Sequence, residues 1–296
     1  MDWDDLRVFL AVARAESLSR AGKALKKDAA TVGRRVARLE AALGAPLFAR
    51  SPQGYALTDA GGRLLAHAEA AEQALRAGAE ELAGQAGQLS GQVRIGAPDG
   101  CANFVLPQVC AAISREHPEL DLQIVALPRV INLSKREADI AIAVSPPEAG
   151  RLTVQRITDY RLHLAASEDY LAGAPPLDSL ADLPAHPVVG YIPDMIFDKE
   201  LDYLSETGAE RVSLASNSVS VQLWLLRHGG GVGIAHDFAV PFAPGLKRVL
   251  TEALSLTRSF YLIRHAGDAR VERLSRVAEA LVRGIRAEVV RLESMA

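Results

Sequence analysis

Between Trp3 and Ala15 the apolar residues Leu6, Phe9, Leu10 and Ala13 recur at three- and four-residue steps, which is one face of a helix. Ser17-Leu18-Ser19 starts a short second helix through Ala21, Ala24 and Leu25, with a serine hydroxyl available to the free amides of its first turn. Asp28 opens a third, whose stripe Val32, Val36, Leu39 and Leu43 is expected inside and which Gly44 stops. Only Lys26, Lys27 and Asp28 separate the second and third helices, the spacing of a helix-turn-helix. Two short extended runs around a Pro/Gly turn, from Arg50 to Leu57, read as a wing.

Thr58 and Asp59 begin a long Ala-rich helix expected to reach about Leu89. Leu75, Leu82 and Leu89 repeat every seven residues, and Leu65, Ala68 and Ala71 extend the seam upstream. A lone helix leaves such a stripe uncovered, so the seam predicts pairing with a second copy through Leu65, Leu75 and Leu82. Gly78, Gly84 and Gly87 weaken its end, where a hinge is expected.

Beyond Ser90-Gly91 short β-type runs alternate with helical ones, as in α/β construction with parallel strands. The first unit has strands 93–96, 120–127 and 138–144, a helix from Phe104 to Arg115 and a short one from Leu133 to Glu137. The second has strands 162–166, 188–191 and 231–235 and a helix from Val219 to His228. Strand 259–264 and a final helix, about Ala269 to Leu292, return the chain to the first unit. Two lobes joined by two crossing strands enclose a cleft at strand ends, the usual place for a small ligand. The implied division is 1–58 for the winged helix-turn-helix, 59–89 for the linker helix and 90–296 for a two-lobed α/β domain. Lobe I takes 90–161 and 265–296, and lobe II takes 162–264.

Charge sharpens this division. Residues 1–60 hold ten Lys/Arg against seven Asp/Glu, whereas the whole chain has 33 against 36, so a basic N-terminal unit sits on an acidic body. A polyanion partner is expected for the former only. The acidic start Met1-Asp2-Trp3-Asp4-Asp5, the absence of a long apolar run and two cysteines in 296 residues fit a cytoplasmic protein with no membrane partner. No Gly-x-Ser-x-Gly elbow, P-loop, His-Glu-x-x-His or Cys-x-x-Cys occurs, so no catalytic residue, metal site or cofactor is expected. Cys101 and Cys110 fall nine residues apart on one predicted helix, about 13 Å at 1.5 Å per residue, beyond disulfide reach. Cys101 near a helix N-terminus keeps a redox-responsive role open, with structural thiols the favoured reading. A cytoplasmic solute-binding protein without regulatory role is the other alternative, which the basic N-terminal unit argues against.

The chain resembles the LysR-type transcriptional regulators from end to end. The resemblance is carried by Leu6-Arg7-Val8-Phe9, Ser17 to Leu25, Val32 to Glu40, Leu43 to Arg50 and Leu57-Thr58-Asp59-Ala60-Gly61. Less specific matches are Ala138 to Ile142 and Gly229 to Ala235. It implies a winged helix-turn-helix, a dimerising linker helix and a periplasmic-binding-protein-like effector domain. It also implies a dimer of dimers on an inverted-repeat operator, a small organic co-inducer and RNA polymerase as a further partner. Where the family has Ser-Gln-Pro or similar ahead of the recognition helix, this chain has Asp28-Ala29-Ala30, and the amide that reads adenine edges is absent. Thr31 and Arg34 are expected at base edges, Arg35 and Arg38 at bases or phosphates, and Arg50 and Gln53 in or beside the wing. The cleft residues expected around an anionic or polar effector are Asp99, Gly100, Cys101, Arg129, Ser145 and Tyr191.

Overall fold

The computed structural model describes residues 2–51, 54–82, 89–126, 137–147, 151–209 and 211–296. They divide into two compact units, 1–86 and 87–296.

In the first unit α1 (Trp3–Ala15), α2 (Leu18–Leu25) and α3 (Ala29–Leu43) each begin on a side-chain cap. Asp2 accepts from the Asp4 amide, Ser17 from Arg20 and Asp28 from Thr31, which satisfies donors that a helix start leaves free. Gly44 ends α3 in the left-handed region, φ 67°. The turn between α2 and α3 is tight enough that a Cβ on Gly22 would lie 2.6 Å from the Lys27 carbonyl oxygen, so this position has room only for glycine. Phe9, Leu10, Val12, Val32 and Leu39 form the shared core with Leu47 and Phe48. Leu43, expected in the buried stripe, is 41% exposed, because α3's last turn runs past that core. The wing is β1 (Phe48–Ser51) paired antiparallel with β2 (Gly54–Leu57).

Helix α4 (Asp59–Leu82) follows, and its first half is drawn into the same core. Ala68 is buried there, and Leu64 and Leu65 pack against it. Leu65, expected in the seam, is half-buried and packs against its own domain's core. Leu75, by contrast, is 57% exposed, and the Leu82 side chain lies outside the described residues. Leu89, read as the last heptad position, is buried in the core of the second unit instead.

The second unit is built on one mixed sheet in the order β4-β3-β5-β11-β6-β9-β7-β8, with β10 also on β6. Strands β3 (Gly91–Ala97), β4 (Leu120–Ala126) and β5 (Ile140–Ala143) carry lobe I. Strands β7 (Val188–Gly190), β8 (Leu214–Ala215), β9 (Val232–His236) and β10 (Leu246–Val249) carry lobe II. Two long strands, β6 (Leu152–Ser167) and β11 (Ser255–His265), run antiparallel to each other through both lobes. They are the two crossing strands, longer than expected, and they make one sheet of what read as two.

Helices α5 (Asp99–Phe104), α6 (Leu106–Glu116), α7 (Glu168–Gly173), α8 (Leu204–Thr207), α9 (Val219–Arg227) and α10 (Glu272–Glu293) cover it. The helix expected from Phe104 to Arg115 is α6, and a separate α5 ends just before it, so Cys101 and Cys110, read as lying on one helix, stand on different ones. The parallel expectation holds for β3 with β4 and β5 and for β7 with β8 and β9. Every pairing of β6 and β11 is antiparallel. The helix expected at 133–137 lies largely outside the described residues.

Candidate nucleic-acid interface and effector cavities

The Asp28 cap organises the outer face of α3. Its carboxylate accepts from the Thr31 amide and from the Thr31 hydroxyl, both at 2.7 Å, and the Thr31 hydroxyl accepts from Arg34 NH2 at 3.1 Å. The Thr31 hydroxyl hydrogen bond is the main reason the Asp28 carboxyl sits below the usual carboxylate range. A relay of three side chains thus steers an exposed guanidinium along the first turns of the recognition helix.

Arg35 and Arg38 are placed otherwise. Arg38 makes a bidentate pair with Asp5 at 2.5 and 2.6 Å and reaches Asp2 at 3.1 Å, while Arg35 donates to Asp4 at 3.1 Å. Both were expected at bases or phosphates, and a phosphate reaching either would compete with an acidic partner on or beside α1. The two brace α3 against α1, a role signalled in the sequence only by the acidic run Asp2-Asp4-Asp5. Arg50 lies on β1, and its side chain, like Gln53, falls outside the described residues. Sequence reasoning passed over Glu40, whose Oε1 accepts from the Leu47 and Phe48 amides at 2.7 and 3.2 Å and so ties α3 to the wing.

In the second unit four of the expected effector residues do come together, since Asp99, Gly100, Cys101 and Tyr191 line one space between the lobes. That space holds only about 20 Å³, room for roughly one water. Protein groups fill the rest. Tyr160 stacks on Phe260 at 4.3 Å and meets Phe238 edge-on at 5.4 Å. The Asp99 carboxylate of lobe I reaches the start of α9 in lobe II, where it accepts from Ser218 Oγ, the Ser220 amide and Ser220 Oγ at 3.0 to 3.2 Å. Asp99 was expected among the residues around an anionic or polar effector. In the structure it is the anion, and α9 receives it. Ser145 likewise bonds across the lobes to Asp198. Arg129 lies outside the described residues.

Burial governs the titratable groups around this space. The Cys101 thiol is pushed up by desolvation, and Cys110 reaches about 11 for the same reason. Burial thus outweighs the helix-dipole effect that kept a redox role open at Cys101, in line with the structural-thiol reading. Burial also lowers His236 to about 4, which keeps its ring neutral. Its Nδ1 has no hydrogen-bond partner among the described residues, and the ring borders the same interlobe region.

A second cavity, about 360 Å³, lies wholly within lobe II between the edges of β7 and β9 and the 193–212 segment. Its walls include Leu164, Val189, Ile196, Val212 and Ile234, and Tyr191 and Leu201 stand between it and the interlobe space. No sequence signal marked it, because its apolar positions are those of any buried strand. Among the described residues no cluster has the makings of a metal site, and no helix is long and apolar enough to cross a membrane.

Known proteins share both units. Residues 3–62 match the family described as bacterial regulatory helix-turn-helix protein, lysR family, and residues 86–286 match the LysR substrate binding domain. The Mau operon transcriptional activator of Paracoccus denitrificans is 34% identical over 268 residues, 89% of each chain. The regulator DgdR of Burkholderia cepacia is 30% identical over 251 residues, covering 81% of this chain and 80% of that one. Among solved structures, a full-length OxyR variant from Pseudomonas aeruginosa superposes with a TM-score of 0.72 at 22% identity, over 97% of this chain and 98% of that one, a likeness of fold. With a capped helix-turn-helix and wing in its first unit and a two-lobed sheet in its second, the chain belongs to the LysR family of transcriptional regulators.

Proposed function

We propose that this regulator binds double-stranded DNA at an inverted-repeat operator, as a dimer joined through α4 and further as a dimer of dimers. In this reading α3 enters the major groove with Thr31 and Arg34 at base edges, and the wing with Arg50 and Gln53 lies along the backbone. It acts in the cytoplasm without catalysis, metal or resident cofactor, and RNA polymerase is a partner at the promoter. The unit from residue 90 onward senses a small organic co-inducer. Closure of its lobes, held by Asp99 on α9 and by Ser145 on Asp198, is the property that the co-inducer changes.

The observation that carries the reading is the Asp28-Thr31-Arg34 relay on the exposed face of a capped second helix of a helix-turn-helix. Footprinting of the full chain on DNA selected from a random pool tests it. Two protected half-sites related by a two-fold axis, one helical turn apart or a multiple of it, are expected. A single unsymmetrical footprint, or none at physiological salt, would refute it.

A further inference from the structure

The interlobe space has no room for an organic molecule, and the groups there suited to an anion are already taken by Asp99. The lobe II cavity has that room. At about 360 Å³ it is far larger than the packing gaps of a protein interior and lies within the range of small-molecule sites. Its lining is aliphatic and aromatic, contains no Lys, Arg or His, and has one carboxylate, Asp202. An anionic guest would meet no cationic side chain on this wall. A few polar groups do converge. Gln222, 5% exposed, donates through Nε2 to the Ser216 carbonyl at 2.7 Å, and its Oε1 accepts from no described residue. Tyr191, Tyr203 and Thr207 also stand on the wall, and the Tyr203 hydroxyl lies 3.5 Å from His236 Nε2.

From this geometry we infer that lobe II binds an uncharged, largely apolar small molecule with one polar end directed to Gln222, in the cavity between β7, β9 and the 193–212 segment. The inference rests on the reading of this unit as the sensor and names its ligand class. The anionic or polar effector expected from sequence was placed in the interlobe cleft, not in this cavity. It also supplies a route to the lobes. Tyr191 and Leu201 are walls of both spaces, so a guest on one side bears on the interlobe packing at Asp99, Tyr160 and His236 on the other. Tyr191 and Tyr203, with rings 5.8 Å apart, transmit that contact as rigid plates rather than flexible chains.

Two fluorescent probes of one aromatic skeleton test the charge rule on the full-length chain: N-phenyl-1-naphthylamine, which is neutral, and 1-anilinonaphthalene-8-sulfonate, which carries a fixed anion. The neutral probe should bind at one site per chain with a blue-shifted, enhanced emission, at least tenfold more tightly than the sulfonate. Ile196→Trp and Val212→Phe, on separate stretches of the wall, should each weaken the neutral probe at least tenfold without lowering the melting midpoint. Equal or tighter binding of the sulfonate overturns the inference, as does wild-type affinity for the neutral probe in both variants. Should one variant fail to fold, the other and the wild-type probe comparison decide. A gel shift with the selected operator keeps the two readings apart. Operator binding without probe binding removes the cavity, whereas probe binding by a chain that binds no DNA removes the regulator and leaves the cavity.

Discussion

Single side chains in this protein do their work through neighbours that fix them. Arg34 is held by Thr31 and Asp28, so removing its guanidinium deletes a pre-oriented donor rather than a freely moving surface charge. Arg34→Ala is expected to lower the ratio of specific to nonspecific DNA affinity by about 1 to 3 kcal/mol, read by competition titration at fixed salt. An unchanged ratio would remove it from the base-reading set. Asp5, only 2% exposed, is kept below the ordinary carboxylate range by the Arg38 hydrogen bond, against the opposing effect of burial. Its folded-state value is depressed, so its contribution is present above the ~3.9 of a free aspartate and lost as pH falls through the lowered value. Melting of wild type and Arg38→Met should therefore differ at neutral pH and converge in acid. A gap that stays constant with pH would mean the pair is electrostatically idle. His236 has the opposite ionic character. Burial lowers it from 6.5 to about 4, so the unfolded chain binds the proton first and stability falls as pH drops from 6.5 to 4. The loss approaches ~3 kcal/mol at about 1.4 kcal/mol per unit, and His236→Phe should flatten the stability-against-pH curve over that window.

At the level of elements, what is legible in the sequence is what local chemistry decides. The cap signals at Ser17 and Asp28 and the stop at Gly44 mark α2 and α3 to within a residue, because each satisfies backbone groups beside it in the chain. Pairings decided at long range are not legible. The expected strand 162–166 is the end of a sixteen-residue β6, because its first half is half-exposed and alternates too weakly to stand out until β11 lies beside it. Helix α4 shows both cases. Its heptad is visible, yet Leu65 is claimed by the α1 to α3 core and Leu89 by the effector core, and only the fold reveals which core takes each. Leu75 is the large apolar side chain left most exposed on the described part of α4, so it is where a partner chain pairing along α4 has most apolar surface to cover. Leu75→Asp should weaken dimerisation at least tenfold, about 1.4 kcal/mol, in sedimentation velocity, with a parallel loss of operator affinity. A variant that stays dimeric at the same concentration would show that the seam lies elsewhere. The candidate DNA-reading face follows the same division. Its arginines were visible as a basic run, but which of them are free was not, since the acids that claim Arg35 and Arg38 lie about thirty residues earlier on α1.

Across the effector unit as a whole, two lobes share one sheet, and polar bridges between them decide how tightly they close. The Asp99 carboxylate is the strongest such bridge described, a negative group delivered from lobe I to the first turn of α9 in lobe II. A helix start with two serine hydroxyls and a free amide is suited to any small carboxylate, and the chain supplies its own. Asp99→Ala should leave those three donors without their acceptor, at a cost of about 1 to 3 kcal/mol in denaturant unfolding. The vacated position then has the chemistry of a carboxylate receptor. Added formate is expected to raise the melting midpoint of Asp99→Ala while leaving wild type unmoved, with chloride at equal ionic strength as the control. Rescue confined to the variant would show that the interlobe contact works as an internal ligand that holds the lobes closed. If formate shifts both proteins alike, the effect is one of general salt, and Asp99 is a helix cap without a part in closure.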